Sequence, residues 1–467
     1  MKRQKLTPSE FLYGLCFALC FFAFMLTEAF INERCAVILG SNAVNPVYTF
    51  GLVCTGLGFL SFSLLRRLCK KEKSRKTAQI IIGVLCLGAA LVLLFANQPA
   101  LFLTSSSAAL LLTGHISGCV YYNTAMYFAG SRYTGCLIGM GMGAAILLQF
   151  VVQNLMPQSV AFIISIIFSV AFVMYFIIKA PKDWILENPL PYSSETRKDF
   201  KKALLLIVAV VLMSLVAGMI DSVLTSFNAE KSYDIYGGVR LFYALGLILA
   251  GFLADIRERK YLPLSTVCTI LLSSVCMFFL SDEVSYFAGT ALMYLYSGFY
   301  VIFFTVMFLD FAPKSSRPEL WAGMGRIVRS FTVAATVLPA FNIYGAVGNT
   351  VLAVVSCLLS ILILLVLLPY LSSAAVSPKP TEKLTSESPT LSPQERLNLY
   401  AQHCSLTPRE TEVLEKLLTT EDGVQEIADS LYISRRMVQR YISSIYEKTE
   451  TKTRLGLFQS YMNFTAK

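Results

Sequence analysis

The chain has 467 residues, of which 55% are hydrophobic and only 15% charged, with a mean hydropathy of +0.62. That composition excludes an ordinary soluble multi-domain protein and points to a chain that crosses a bilayer many times. The net charge of +10 is uneven: residues 1–371 hold 27 basic and 17 acidic side chains, and the remainder holds 12 of each.

A span needs ~20 mostly apolar residues. Such runs fall at 11–31, 45–65, 78–96, 101–127, 134–156 and 159–179. After a polar stretch at 179–202 they resume at 203–224, 236–256, 262–281, 285–309, 321–343 and 348–371. Residues 1–5 are basic, but the first run is long enough to span and lacks an A-x-A exit, which argues against a cleaved signal peptide. Six spans, a longer charged loop and six more spans give a layout that resembles the major facilitator superfamily.

Loop charge sets an expected orientation. One set of alternate loops carries residues 1–5, the seven basic residues of 66–76, Arg132, 179–202, 257–260 and 314–317. The opposite set offers only Arg34 and Lys231, beside Glu33, Glu230, Asp234, Asp282 and Glu283. The positive-inside rule therefore predicts cytoplasmic N- and C-termini in a multi-pass protein. From 372 to 405 the composition turns to Ser, Pro, Thr and Lys, which reads as a flexible linker with a short helix at 392–400.

Residues 406–467 read as a separate soluble domain. Thr407, Pro408 and Glu410 make a helix start in which Thr407 caps and Glu410 closes a capping box. Val413, Leu414, Leu417 and Leu418 supply an apolar stripe, and Gly423 permits the turn into a helix at 424–431. Ser434 caps a third helix running to about Lys448, and a last helix covers roughly 453–462. Two short helices about a tight turn, the second bearing cations, form a helix-turn-helix. Charge divides accordingly: 407–429 nets −5 and 430–467 nets +5, the sign that phosphate neutralisation requires.

The run Leu406-Thr407-Pro408-Arg409-Glu410, then Glu426-Ile427-Ala428, Leu431-Tyr432-Ile433-Ser434, Val438 and Ile445-Tyr446-Glu447-Lys448, resembles the LuxR-type (GerE/NarL-like) domain of bacterial transcription regulators. Val438, Ile442 and Ile445 fall on one helical face and are expected in the core. Arg435, Arg436, Gln439, Arg440 and Ser443 then face outward. Arg436, Gln439 and Arg440 are assigned to base edges, and Ser434, Arg435 and Lys448 to phosphates. Family members usually carry Lys where Gln439 stands and often His where Tyr441 stands, which alters the expected base preference. The resemblance implies double-stranded promoter DNA as partner, a homodimer through the last helix, and RNA polymerase as a further partner. Core packing alone also accounts for Leu455, Phe458 and Tyr461 of that helix.

Within the membrane region, Gly251 to Lys260 is similar to the facilitator loop motif, a Gly and an Asp four apart followed by basic residues. In that family the Asp and the cations latch helix ends. The first-half copy, near 58–71, has Phe62 in place of the Asp. Ionisable residues inside spans are candidates for a ligand site. They are Glu28 late in the first span, Asp221 at the equivalent place in the seventh, and Arg240 at the start of the eighth, placed to pair with Asp221. Arg326 and Arg329 lie near the start of the eleventh span. Snorkelling at interfacial depth is the competing account. His115 is read as a buried structural residue.

Eleven of the twelve cysteines lie in or beside apolar runs, and the only histidines are His115 and His403. No zinc site, catalytic constellation or cofactor is implied, which points away from an enzyme. The expected protein is thus all-α, with a polytopic membrane bundle at 1–371 in two six-helix halves (1–179 and 203–371). A linker at 372–405 and a four-helix DNA-binding domain at 406–467 follow. The expected function is a one-component transcription regulator in the bacterial inner membrane, sensing an unidentified small molecule. The competing reading is a secondary transporter with a fused regulatory or vestigial tail.

Overall fold

The computed structural model describes residues 8–69, 71–129, 131, 133–155, 158–179, 197–229, 237–257, 259–276, 283–347, 349–375, 393–420, 422–449, 451 and 453–464. The chain forms two compact units, Met1–Ser377 and Pro378–Lys467. All regular structure among the described residues is helical.

The first unit opens with α1 (Pro8–Ile38), α2 (Val44–Leu68), α3 (Glu72–Phe95), α4 (Pro99–Tyr127), α5 (Thr134–Leu155) and α6 (Gln158–Lys179). It continues with α7 (Arg197–Ala229), α8 (Arg240–Ala254), α9 (Tyr261–Cys276), α10 (Glu283–Phe311), the short α11 (Pro318–Trp321), α12 (Met324–Val347) and α13 (Asn349–Ala375). Each of the twelve apolar runs read from the sequence lies on one of the twelve long helices. The ninth run extends into 277–281, which lies outside the described residues, as do Arg132, Glu230, Lys231, Asp234 and most of the polar stretch at 179–202. Among the described residues nine helices are long and apolar enough to cross a membrane, and Phe162–Ile178, Arg240–Ala254 and Tyr261–Cys276 are shorter apolar helices. Helices α3 and α13 leave apolar side chains such as Ile81, Val84, Leu358 and Leu365 exposed, as a lipid-facing surface requires.

Within each half the helices pack on one another, and α2 with α12 and α5 with α8 join the halves. The second of these contacts depends on glycine. A Cβ on Gly139 would stand 2.6 Å from the Leu247 carbonyl oxygen, and one on Gly251 2.6 Å from that of Gly135. No side chain fits there, so the two backbones touch. Helices α1 and α10 carry much of the interior, with Phe17, Tyr296, Tyr300, Phe304 and Phe308 buried.

The second unit comprises α14 (Pro393–His403), α15 (Pro408–Thr419), α16 (Val424–Leu431), α17 (Arg435–Lys448) and α18 (Arg454–Asn463). Its own core gathers Val413, Leu414, Leu417, Ile427, Val438, Ile445 and Leu457. The stretch read as a linker is helical at both ends: α13 runs to Ala375, and α14 begins at Pro393. Leu397, Tyr400 and Ala401 of α14 are buried, because their four-residue and three-residue spacings place them on one helical face. The middle of that stretch, 376–392, lies outside the described residues.

Candidate DNA-binding surface and candidate ligand site

The start of α15 is built as its residues require. The Glu410 backbone N–H reaches Thr407 Oγ1 at 3.4 Å, and Glu410 Oε2 accepts the Thr407 N–H at 2.7 Å. The same carboxylate also binds α17, accepting from Ser444 Oγ at 2.6 Å and from Lys448 Nζ at 2.8 Å. Burial opposes its charge, but the hydrogen bonds from Lys448, Ser444 and Thr407 outweigh this and hold the carboxyl down at about 2 instead of 4.5. Sequence spacing identified the cap but not this second role, since Glu410 and Lys448 are far apart in the chain.

Gly423, read as permitting the turn into α16, adopts no special backbone there. Gly423 has ordinary extended backbone (φ −75°, ψ 171°), and Glu426 Oε2 accepts its N–H at 2.7 Å. In the turn between α16 and α17 the left-handed residue is Tyr432 (φ 54°, ψ 41°), which is 96% exposed. Ser434 then caps α17, its Oγ accepting the Met437 N–H at 3.3 Å. Val438 and Ile445 are buried and Ile442 is half-buried, so one face of α17 is anchored in the core.

The opposite face displays Arg435, Arg436, Gln439, Arg440 and Ser443, all exposed. The three arginines make no ion pair among the described residues. The charge of the basic half is not uniformly available, however. Lys448, assigned to a phosphate, is paired with Glu410 and donates to the Ser405 carbonyl at 3.2 Å. Arg454 donates to the carbonyls of Leu417 at 2.9 Å and Asp422 at 2.8 Å, and to that of Thr420, bracing the loop before α16. Lys452 and Lys467 lie outside the described residues. On α18, Leu457 is in the core, Phe458 is exposed and Tyr461 packs edge-on to Tyr400 with ring centroids 5.4 Å apart.

In the first unit the ionisable residues converge. Glu28 lies within electrostatic reach of Arg329, Asp221, Arg240 and Arg326. The expected Asp221–Arg240 pair is replaced by another: Asp221 Oδ2 accepts from Arg329 Nη2 at 3.1 Å and from the Tyr48 hydroxyl at 3.0 Å. Arg240 reaches Gln149 Oε1 at 3.1 Å and the Tyr294 hydroxyl at 3.4 Å, because α8 packs on α5 and α10. Span order placed Arg329 near one surface and Asp221 near the other, but packing of α7 on α12 brings them to one depth. Glu28 and Tyr48 line a narrow pocket with Asn32, Gly51 and Thr55. His115 is buried between Ser61 Oγ, 2.8 Å from Nδ1, and Gln79 Nε2, 3.3 Å from Nε2.

The facilitator-like loop is engaged as its residues suggest. Asp255 accepts the first-turn N–H groups of α5, from Gly135 at 2.8 Å and Cys136 at 2.6 Å. Arg259 binds both Asp255 and Asp310, the latter at 2.7 Å. Phe62, in the place of the first-half Asp, instead packs against His115 and Tyr122.

Fold and surface together define a multi-pass helical membrane bundle carrying a helix-turn-helix DNA-binding domain. Residues 404–460 match the family described as "Bacterial regulatory proteins, luxR family". No curated protein matches the chain in sequence. Among solved structures, the chain is similar to the human organic anion transporter MFSD10 (TETRAN), with a TM-score of 0.56 and 13% identity over 78% of this chain and 100% of that one. At that identity the likeness concerns the fold, which is that of the major facilitators.

Proposed function

We propose that the chain is a one-component transcription regulator of the bacterial inner membrane, in which the bundle binds a small molecule and the tail binds promoter DNA. The observation that carries this reading is a facilitator-type bundle and a luxR-type domain in one chain, the latter with the basic face of α17 open to solvent. Arg436, Gln439 and Arg440 would contact base edges, and Ser434, Arg435 and Ser443 the neighbouring backbone. Lys448 contributes less than its charge suggests, because Glu410 already pairs with it. The basic loops face the cytoplasm, where a dimer formed through α18 would meet DNA and RNA polymerase. Ligand control requires a different affinity for two states of the bundle.

Selection of random duplex DNA by the fragment 378–467, which has its own core, tests the reading. An enriched motif that is lost in Arg436→Ala/Arg440→Ala supports it. Sequence-blind binding by both fragments, also as forced dimers, refutes it. The second reading, a working transporter with a regulatory tail, is favoured by the bridge from Asp255 to α5, a contact suited to rocking halves. Solute uptake into liposomes separates the two, since a sensor binds without accumulation.

A further inference from the structure

We propose that Arg326 anchors a binding site for a small organic anion, a carboxylate carried on an aromatic or aliphatic body. This names the ligand class of the bundle, and only its regulatory use rests on the sensor reading above.

Arg326 is the third residue of α12 and is 5% exposed. Its Nε donates to the Tyr121 hydroxyl at 3.1 Å. The guanidinium carbon lies 5.3 Å from the ring centroids of Phe21 and Phe304, and 5.6 Å from that of Phe24. Its Nη2 is buried and has no hydrogen-bond partner among the described residues. No carboxylate of the described residues stands within 4.0 Å of it.

Three other arginines of the unit show what is missing. Arg329, one turn further on, holds Asp221; Arg259 holds Asp255 and Asp310; Arg67 holds Glu319. Arg326 alone among these is buried deeply with no carboxylate of the described residues within 4.0 Å. Ring faces attract a cation, but they do not satisfy N–H groups lying in the guanidinium plane. A charge removed from water without a close anion is strongly unfavourable, so an anion that completes the fork would bind with a large gain.

The space beside it is narrow, about 10 Å³, so the body of such a ligand is admitted only as the ring walls part. Arg326 lines a pocket with Phe24, Thr55, Phe59, Ser117 and Tyr121, so aromatic walls meet three hydroxyls and one cation. Walls of this kind favour an apolar body over an inorganic ion. Arg329 nearby is already paired with Asp221, so the charge offered to the ligand is that of Arg326.

The test uses the full chain in detergent micelles, with 3-phenylpropionate, hexanoate and octanoate as probes. Neutral 3-phenylpropanamide and cationic 3-phenylpropylamine serve as isosteres, and the Tm is followed against concentration. The expected result is saturable stabilisation by a carboxylate, with the amide and the amine at least tenfold weaker. Arg326→Gln should lose the response while its ligand-free Tm equals or exceeds that of wild type, since an unpaired buried charge has gone. Arg326→Lys, which keeps the charge but loses the fork, should bind about tenfold more weakly. No stabilisation of wild type by any carboxylate, an equal response to the amide, or an unchanged response in Arg326→Gln overturns the proposal. Should Arg326→Gln not fold, the carboxylate-to-amide ratio in wild type and in Arg326→Lys decides. Carboxylate binding that leaves DNA affinity of the full chain unchanged would overturn the sensor reading and leave this site standing.

Discussion

At the scale of single residues, Glu410 and Tyr432 show how the tail is held. Glu410 caps α15 and ties α17 to it through Ser444 and Lys448. Its carboxyl is held at about 2, below the 4.5 of an unperturbed Glu, so its charged form is favoured by folding. The stabilisation is therefore complete above pH 4.5 and is lost as the pH falls towards about 2. Thermal melts of 378–467 across that interval should show a fall in Tm that is shallower in Glu410→Gln. At neutral pH that variant should be less stable by about 1–3 kcal/mol, the range for a charged hydrogen bond lost from a buried site. Tyr432 holds a left-handed backbone with its ring in solvent, so nothing in packing offsets the steric penalty. Tyr432→Gly should stabilise the tail by about 1 kcal/mol in urea titration.

At the scale of elements, the α5–α8 contact joins the two halves of the bundle. Its backbone approach at Gly139 and Gly251 leaves no volume for a side chain. Gly139→Val should part the helices and cost about 2–3 kcal/mol, read as a lower Tm of the full chain in detergent. Asp255 seals the same crossing by accepting the α5 N–H groups. Asp255→Ala should lower the Tm and open the end of α5. The sensitive readout is maleimide labelling of half-buried Cys136 in a Cys268→Ser background, which should become faster. Unchanged labelling would show that Asp255 is dispensable for closure. In the tail, α17 is fastened on one face by Val438 and Ile445, so its other face is held rigidly towards solvent.

At the scale of the whole molecule, a DNA-reading domain and a facilitator-type bundle share one chain. In the full chain, Arg436→Ala and Arg440→Ala should each weaken specific DNA binding by about 1–3 kcal/mol if they touch bases. Arg435→Ala should weaken all duplexes alike and flatten the salt dependence by about one unit of slope. Lys448→Ala should act mainly on the stability of the tail, because its ammonium is already bound to Glu410.

The sequence by itself determined the elements. Twelve apolar runs, the Thr407 and Ser434 caps and the buried face of α17 depend on residues within a few turns of one another, and local hydrophobic periodicity reports such relations. Only the tertiary structure decided the pairings. Asp221 meets Arg329 and not Arg240, Asp255 meets Gly135 and Cys136, and Arg326 lies among rings with no carboxylate of the described residues within 4.0 Å. It likewise withdrew Lys448 from the surface charge and added α14 to the core of the tail. The reason is physical: spacing along a helix sets the face a residue occupies, whereas its partner depends on which helices pack together and at what depth.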